Sequence, residues 1–507
     1  MTGATVVLTG YGLDVTALAR IAREDARVTL DPVVRPRLER AHAIVERYAR
    51  EGAPAYGVTT GLGAAVDTKV SGIDQREFQR RVVLARSVGV GPRAPRDVVR
   101  AMAAARAAGL AVGGSGASPA VLDGLVALLN AHIHPVVPMS GSVGAADLAP
   151  LAHLSLPLIG LGEAEHNGEV LPGAEALRRA GLAPLQLAAK DGLALVSSNA
   201  ASIGPGALVV VDAARTLEAM LAAAAMSFEG YAANPSPLDV RAQAAHRAPG
   251  QGEAAARLCR LLEGSSLWSA GTPRNLQDPL SFRCVAQVIG SALAALDVAR
   301  QAVELELNSA GDNPLVLAND GLLLSNGNFH VAHLALAFEM LGQALAAAAA
   351  MTVERAMKLM SPRFAELPRF LSPRQEGRTG FATTQKTLAA LEADIRHLAN
   401  PISLLLIPVA DRVEDHGTLA PRVVGKTAEI VERLRLIVAI ELMVAAQAID
   451  LRRPAKLGIG TAAAHAGVRA LVQPLDEDRI TAPDIEALDR LIADGGLART
   501  LHAAAGG

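Results

Sequence analysis

Between residues 192 and 451 the chain carries long apolar stretches of helical period, at 208–226, 279–307, 329–358, 380–397 and 424–451. Helices of that length bury an apolar face only against others of their kind, so a bundle packed side by side is the architecture they allow. Breaks fall at Asn234-Pro235-Ser236-Pro237, Asp312-Asn313-Pro314 and Ser361-Pro362, where proline takes away a helical donor. The composition agrees, since 51% apolar residues with only 3% aromatics means mostly Ala, Leu and Val, which let helix axes approach closely. The alanine run 346–350 reads as such a contact. The expected fold class is mainly α, a long central helical bundle.

The first 190 residues are more mixed. A short strand is expected at 5–8 and amphipathic helices at 15–22 and 35–48. A Gly/Thr-rich loop follows at 55–63, then helical patterns at 75–87, 95–108 and 119–129, and a sheet-prone interval at 162–171. The expected organisation is therefore a smaller mixed region, 1–190, ahead of the bundle, 191–507. A net charge of −2 with no basic block argues against nucleic acid as a partner. Cys259 and Cys284 offer neither a disulfide framework nor a metal-ligand spacing, which favours a reducing, cytoplasmic setting without a metal. The opening MTGATVVLTGYGLDV lacks the basic start and apolar run of a secretory signal. Apolar windows such as 344–351 are short for a bilayer span, so no membrane partner is expected.

Chemistry concentrates in a few places. Residues 138–153 run from a Gly/Ser-rich loop into an apolar segment, with Asp147 where a helix N-cap belongs and Pro150 in the first turn. Such a loop faces the positive end of a helix, a place to stabilise developing negative charge. Tyr56 opens the longest Gly-rich loop, either as a general base or as a packed ring. Arg283, among apolar neighbours near a helix start, suits a carboxylate clamp or an ordinary ion pair. Asn326-Gly327-Asn328-Phe329-His330 reads as an asparagine-capped helix entry, and Glu414 as a proton handler or as part of a solvated helix face.

Taken together, these motifs resemble the aromatic amino-acid ammonia-lyases, the family of histidine, phenylalanine and tyrosine ammonia-lyases. The family's G-S-V-G-A-S-G-D-L-A-P-L-A appears here as G-S-V-G-A-A-D-L-A-P-L-A over 141–152. In the family the internal Ala-Ser-Gly cyclises to the electrophile methylidene-imidazolone, MIO. Ala145-Ala146 is one residue shorter and has no serine, so the cofactor that the resemblance implies is not expected to form. Tyr-Gly-Val-Thr-Thr-Gly-Leu-Gly from Tyr56 is similar to Y-G-V-N-T-G-F-G, whose tyrosine removes the substrate's β-proton. Gln277-Asp278-Pro279-Leu280-Ser281-Phe282-Arg283-Cys284 is similar to Q-D-P-Y-S-L-R-C, whose arginine grips the substrate carboxylate. Leu280 replaces the family's tyrosine there.

The same resemblance implies site roles for Gln277, for Asn313 in Asp312-Asn313-Pro314-Leu315, for Phe329 beside the cofactor loop and for Glu414 at the amine proton. The family's MIO-contacting asparagine falls on Ser197, with Asn199 near. Its substrate-selecting pair falls on Ala85-Arg86, and an arginine there points to an anionic or strongly polar substrate end. A homotetramer with sites shared between subunits is implied as well. The leading expectation is a family enzyme acting without MIO on a small amino-acid-like carboxylate, by Tyr56-driven elimination, addition or cyclisation. A conventional histidine or aromatic ammonia-lyase and a catalytically silent binding homologue are the alternatives.

Overall fold

The computed structural model describes residues 4–70, 75–374, 377–404 and 407–504. The described residues are mostly helical, and their strands are short and gathered into four small sheets. Two compact units divide the chain, one of Met1–Val211, Ala299–Phe338 and Pro401–Gly425, the other of Asp212–Val298, Glu339–Asn400 and Lys426–Gly507.

In the first unit, strand Thr5–Leu8 pairs in parallel with Arg27–Leu30 across helix Val15–Arg23. Asp14 caps that helix by accepting the Ala17 N–H at 2.7 Å, and Val15, Leu18, Ile21 and Ala22 form its buried face. Helix Arg96–Ala111 is buried along most of its length because ten of its sixteen residues are Ala, Val or Leu. Its two buried arginines each find acceptors. Arg100 donates to the Ile21 and Leu129 carbonyls, and Arg106 pairs with Asp312 at 2.7 Å.

The sheet-prone interval is a hairpin, Glu163–His166 with Glu169–Pro172, extended by Ile133–Pro135. It turns at Asn167-Gly168, both at positive φ, a dipeptide suited to a two-residue hairpin turn. Strand Pro138–Ser140 pairs with Val90–Arg93 and delivers the chain to the 141–147 turn.

In the second unit, helices Gln251–Leu261, Thr384–Leu398, Ile459–Arg469, Ala482–Ala493 and Gly496–Ala504 pack with segments of four longer helices. Close axis contact depends on small residues. A Cβ on Gly230 would lie 2.8 Å from that of Ala448. Arg355 and Glu441, both fully buried, meet at 2.6 Å, and Ser227 donates to the same carboxylate at 2.8 Å. The Glu229 carboxylate accepts from Ser265, Thr461 and the Gly458 N–H, joining three segments.

Two expectations need correction. The 279–307 stretch is not one helix. Leu280–Arg283 and Val285–Leu307 are separated at Cys284, where φ −102° and ψ 19° leave the helical region. Phe282 in the short segment stacks on Tyr231 at 4.3 Å and meets Phe228 edge-on at 5.6 Å. This aromatic packing directs the segment away from a straight continuation. The apolar windows are also longer than expected. Residues 191–231 and Ala332–Leu359 are long and apolar enough to cross a membrane, with 89% and 56% of their most apolar windows buried inside the protein. Burial to that degree in the first window is the behaviour of a core helix.

Candidate active site

Tyr56 sits in a loop tied down at both ends. The Val58, Thr59 and Thr60 N–H groups all donate to the Ala55 carbonyl, and Thr59 Oγ1 donates to the Ala53 carbonyl at 2.6 Å. Gly57 adopts φ +68°, and a Cβ there would lie 2.5 Å from the Leu193 side chain. Gln75 and Gln79 on helix Gln75–Leu84 hold the loop from below by donating to the Val58 and Gly57 carbonyls. Gln79 also accepts the Leu193 N–H. The Tyr56 phenol oxygen accepts the Gly63 N–H at 2.8 Å. A backbone donor aimed at that oxygen stabilises negative charge on it, the requirement for a phenol acting as a base.

Arg86 lies just past the end of the same helix, half-buried, with Tyr56 and Glu414 as the groups that face it. Burial pushes its guanidinium below its ordinary range, and those two neighbours pull the other way. Arg86 Nη1 donates to the Val82 carbonyl at 3.3 Å. Among the described residues its remaining donors meet no acceptor. A desolvated guanidinium with spare donors is an anion-seeking group.

The 141–147 turn is fastened from several directions. The Gly144 carbonyl accepts from Thr418 Oγ1 at 3.0 Å and from Asn199 Nδ2 at 3.4 Å, and the Val143 carbonyl accepts the Leu419 N–H at 2.9 Å. Gly144 itself, at φ +78°, has Thr418 Oγ1 2.3 Å from where a Cβ would stand, so only glycine fits. Ala145 pairs its backbone with His330, and Ala146 is buried at φ +60°. These two residues carry no hydroxyl to eliminate, and no glycine nitrogen stands between them and Asp147. The chain here lacks what imidazolone ring closure consumes.

Asp147 differs from expectation. It occupies the cap position of helix Leu148–Ser155, but its side chain makes no capping bond there. The carboxylate turns to the start of the next long helix, accepting from Ser202 Oγ at 2.8 Å, Ser142 Oγ at 3.1 Å and the Ala201 and Ser202 amides. The Asp147 N–H donates to the Ser198 carbonyl at 2.7 Å. These bonds favour the charged form, yet complete burial outweighs them and raises the carboxyl to about 7.

The structure therefore places Tyr56 and Glu414 within electrostatic reach of Arg86, and Asn199 against the turn that carries Ala145-Ala146. Ser197 is buried, and its N–H donates to the Leu193 carbonyl. Asn199, not Ser197, is the side chain that reaches the turn. Asn313 accepts the Asn326 N–H at 3.0 Å and so secures the loop that carries Phe329. Gln277, Leu280 and Arg283 belong to the second unit. There Arg283 donates to Gln277 Oε1 at 2.6 Å, and Gln277 and Leu280 are exposed.

Sequence reasoning did not pick out Gln79, Ser142, Ser202, Thr418 or the contact of His330 with His416. Each is an ordinary polar residue, and apart from Ser142, five residues from Asp147, its partner lies far along the chain. No group of three or more His, Cys, Asp or Glu residues suited to a metal ion is found among the described residues.

The sequence profile described as "Aromatic amino acid lyase" matches residues 13–470. The chain belongs to that family. It is thus a carbon–nitrogen lyase-type enzyme with the family's helical fold. It is 42% identical to a histidine ammonia-lyase of Symbiobacterium thermophilum over 498 residues, 98% of each protein. Among solved structures, the ergothionase of Treponema denticola, an ergothioneine-degrading enzyme bound to desmethyl-ergothioneine sulfonic acid, superposes with a TM-score of 0.92. That match has 33% identity and covers 97% of this chain and 99% of the other. The tyrosine aminomutase of Streptomyces globisporus gives a TM-score of 0.93 at 30% identity, covering 99% of both chains. Those names span different reactions on one fold, so the reaction has to be argued from the site.

Proposed function

We propose that this enzyme eliminates an amine from a small amino-acid-like carboxylate without an MIO group, acting on a substrate whose amine is already a good leaving group. The turn at Ala145-Ala146, with no serine to dehydrate and its flanking carbonyls bonded to Thr418, Asn199 and Leu419, is the observation that carries this reading. Tyr56 takes the β-proton, the C–H electron pair becomes the new double bond, and the carbon–nitrogen bond breaks with its electrons on the departing amine. Glu414 manages the amine proton where the substrate carries one, and a quaternary amine departs without needing it. Arg86, with donors that meet no acceptor among the described residues, takes an anionic or strongly polar group of the substrate.

The demand on the leaving group has a physical basis. A plain amino group leaves well only while it is protonated, and it can give that proton up before the β-proton is taken. A quaternary ammonium cannot lose its charge and departs as a neutral amine. Ergothioneine is a betaine of this kind, which is why the ergothionase likeness supports the reading. The sulfonic acid on the ligand of that structure is also the type of anion Arg86 would meet. The second reading, a conventional histidine ammonia-lyase, is favoured by the 42% identity.

An intact-mass measurement separates the two. The expected mass is that of the unmodified chain, with no cyanide-sensitive near-ultraviolet absorption. A deficit of two waters, or brisk deamination of histidine, would replace the first reading with the second. Incubation with ergothioneine is expected to release trimethylamine, and Tyr56→Phe to lower that rate by about a hundredfold or more while leaving substrate binding intact. Binding without turnover by the unaltered protein would instead mark a silent homologue.

A further inference from the structure

We propose that His330 and His416 form a positioning pair whose ring-to-ring hydrogen bond fastens the Glu414 loop to the Ala145-Ala146 turn; the inference rests on the reading of Glu414 as a site residue. His330 Nε2 and His416 Nδ1 lie 2.8 Å apart, with ring centroids at 4.9 Å and planes tilted by 41°. Such a bond needs one ring to donate N–H and the other to offer a lone pair, so each ring fixes the tautomer of its partner.

The two histidines are rooted differently. His330 stands on a well-anchored loop. Its N–H donates to the Gly327 carbonyl, and Asn326 is bonded to Asn313 and to the carbonyl of Asp312, which is itself paired with buried Arg106. His330 also pairs its backbone with Ala145. His416 follows a segment that closes on itself between Val409 and Glu414 by two hydrogen bonds of 3.0 and 3.3 Å. Ala410, Asp411 and Arg412 in that segment all have left-handed φ, between 51° and 67°. Left-handed backbone is unfavourable for a residue with a Cβ, and it persists only when its surroundings hold it.

Just beyond His416, Thr418 and Leu419 bond to the turn. Turn, His330, His416 and Thr418 thus form a closed circuit, and the imidazole bond is its one side-chain-to-side-chain link. Phe329 precedes one histidine and Glu414 lies two residues before the other, so the bond sets the distance between two site residues.

Hydrogen exchange on the full-length protein tests this at the amides of Val409, Glu414 and Leu419. His330→Phe and His416→Phe are each expected to speed exchange there about tenfold, the worth of one lost hydrogen bond. The double variant should be no faster than either single one, and His416→Gln, which keeps a donor and an acceptor, should stay near the unaltered rate. Core amides of helix Ala420–Arg452 serve as the unaffected reference. If the Phe variants do not fold, the two Ala variants give the same comparison. Unchanged exchange in the single variants, or a double variant whose effect is the product of the two, overturns the pair. In turnover, the Phe variants should lower kcat with KM held within about twofold, the mark of lost positioning rather than lost binding. Failure of the unaltered enzyme to process ergothioneine or histidine would sink the lyase reading and leave the exchange result to decide the pair.

Discussion

Asp147 shows how one residue can be recognised by type and still be misread by partner. Asp is the right residue to cap a helix, and the nearest helix start is the one it begins. Its carboxylate nevertheless serves the start of helix Ala200–Tyr231, because Ser142 and Ser202 converge on it there. Burial raises its carboxyl from 3.8 to about 7, so between those values the folded protein holds a proton that the unfolded chain has lost. Stability from this group is complete below about pH 4, declines as pH rises to about 7 and is flat beyond. Asp147→Asn cannot ionise and should remove that decline, which urea titrations at pH 4, 5.5 and 7.5 would measure as a flatter profile. Glu306, also raised to about 7 by burial, has the same sign and is present in both proteins, so the difference isolates Asp147. An equal slope in both proteins would show that the carboxylate is not what titrates.

At the scale of elements, helix contacts are set by glycine and alanine rather than by large side chains. Gly204 of helix Ala200–Tyr231 meets helix Arg96–Ala111 so closely that a Cβ would lie 2.5 Å from the Ala101 carbonyl. Gly204→Leu improves helix propensity by under about 1 kcal/mol, but the backbone it strikes cannot yield cheaply. A net loss of about 3 kcal/mol is expected, at the upper end of overpacking costs. Gly252, in helix Gln251–Leu261, has nothing within 4 Å of where a Cβ would stand, so Gly252→Ala should stabilise by about 0.5–1 kcal/mol. Opposite signs in chemical denaturation would confirm that proximity, not propensity, decides the first. The same scale explains the Tyr56 loop, whose orientation depends on Gln75 and Gln79 from a neighbouring helix.

For the molecule as a whole, large apolar side chains remain uncovered in the single chain. Leu276 is 91% exposed and Ile407 84%, and Leu336 at 59% and Met340 at 43% lie on one side of helix Ala332–Leu359. Surface of this kind marks association. The family resemblance implies four subunits, and native mass spectrometry is expected to give four times 52.2 kDa. A monomer at micromolar concentration would contradict that expectation and would leave Leu276 and Leu280, beside Arg283, without a partner surface.

The long helical stretches between 208 and 451 and the proline breaks among them were legible in the residues alone, whereas Tyr56, Arg283 and Glu414 stood out as candidates through the family resemblance. Periodicity, proline positions and motif spacing are local properties of a chain. Strand Thr5–Leu8 and helix Pro119–Asn130 lie where the pattern puts them to within a residue. The bend at Cys284, the choice of Asn199 over Ser197 at the turn, the partner of Asp147 and the bond between His330 and His416 were decided only in three dimensions. Each joins groups separated along the chain, from 5 residues for Ser142 with Asp147 to 86 for the two histidines. A hydrogen bond or a ring stack of that kind depends on where packing brings two segments, and no local pattern encodes it.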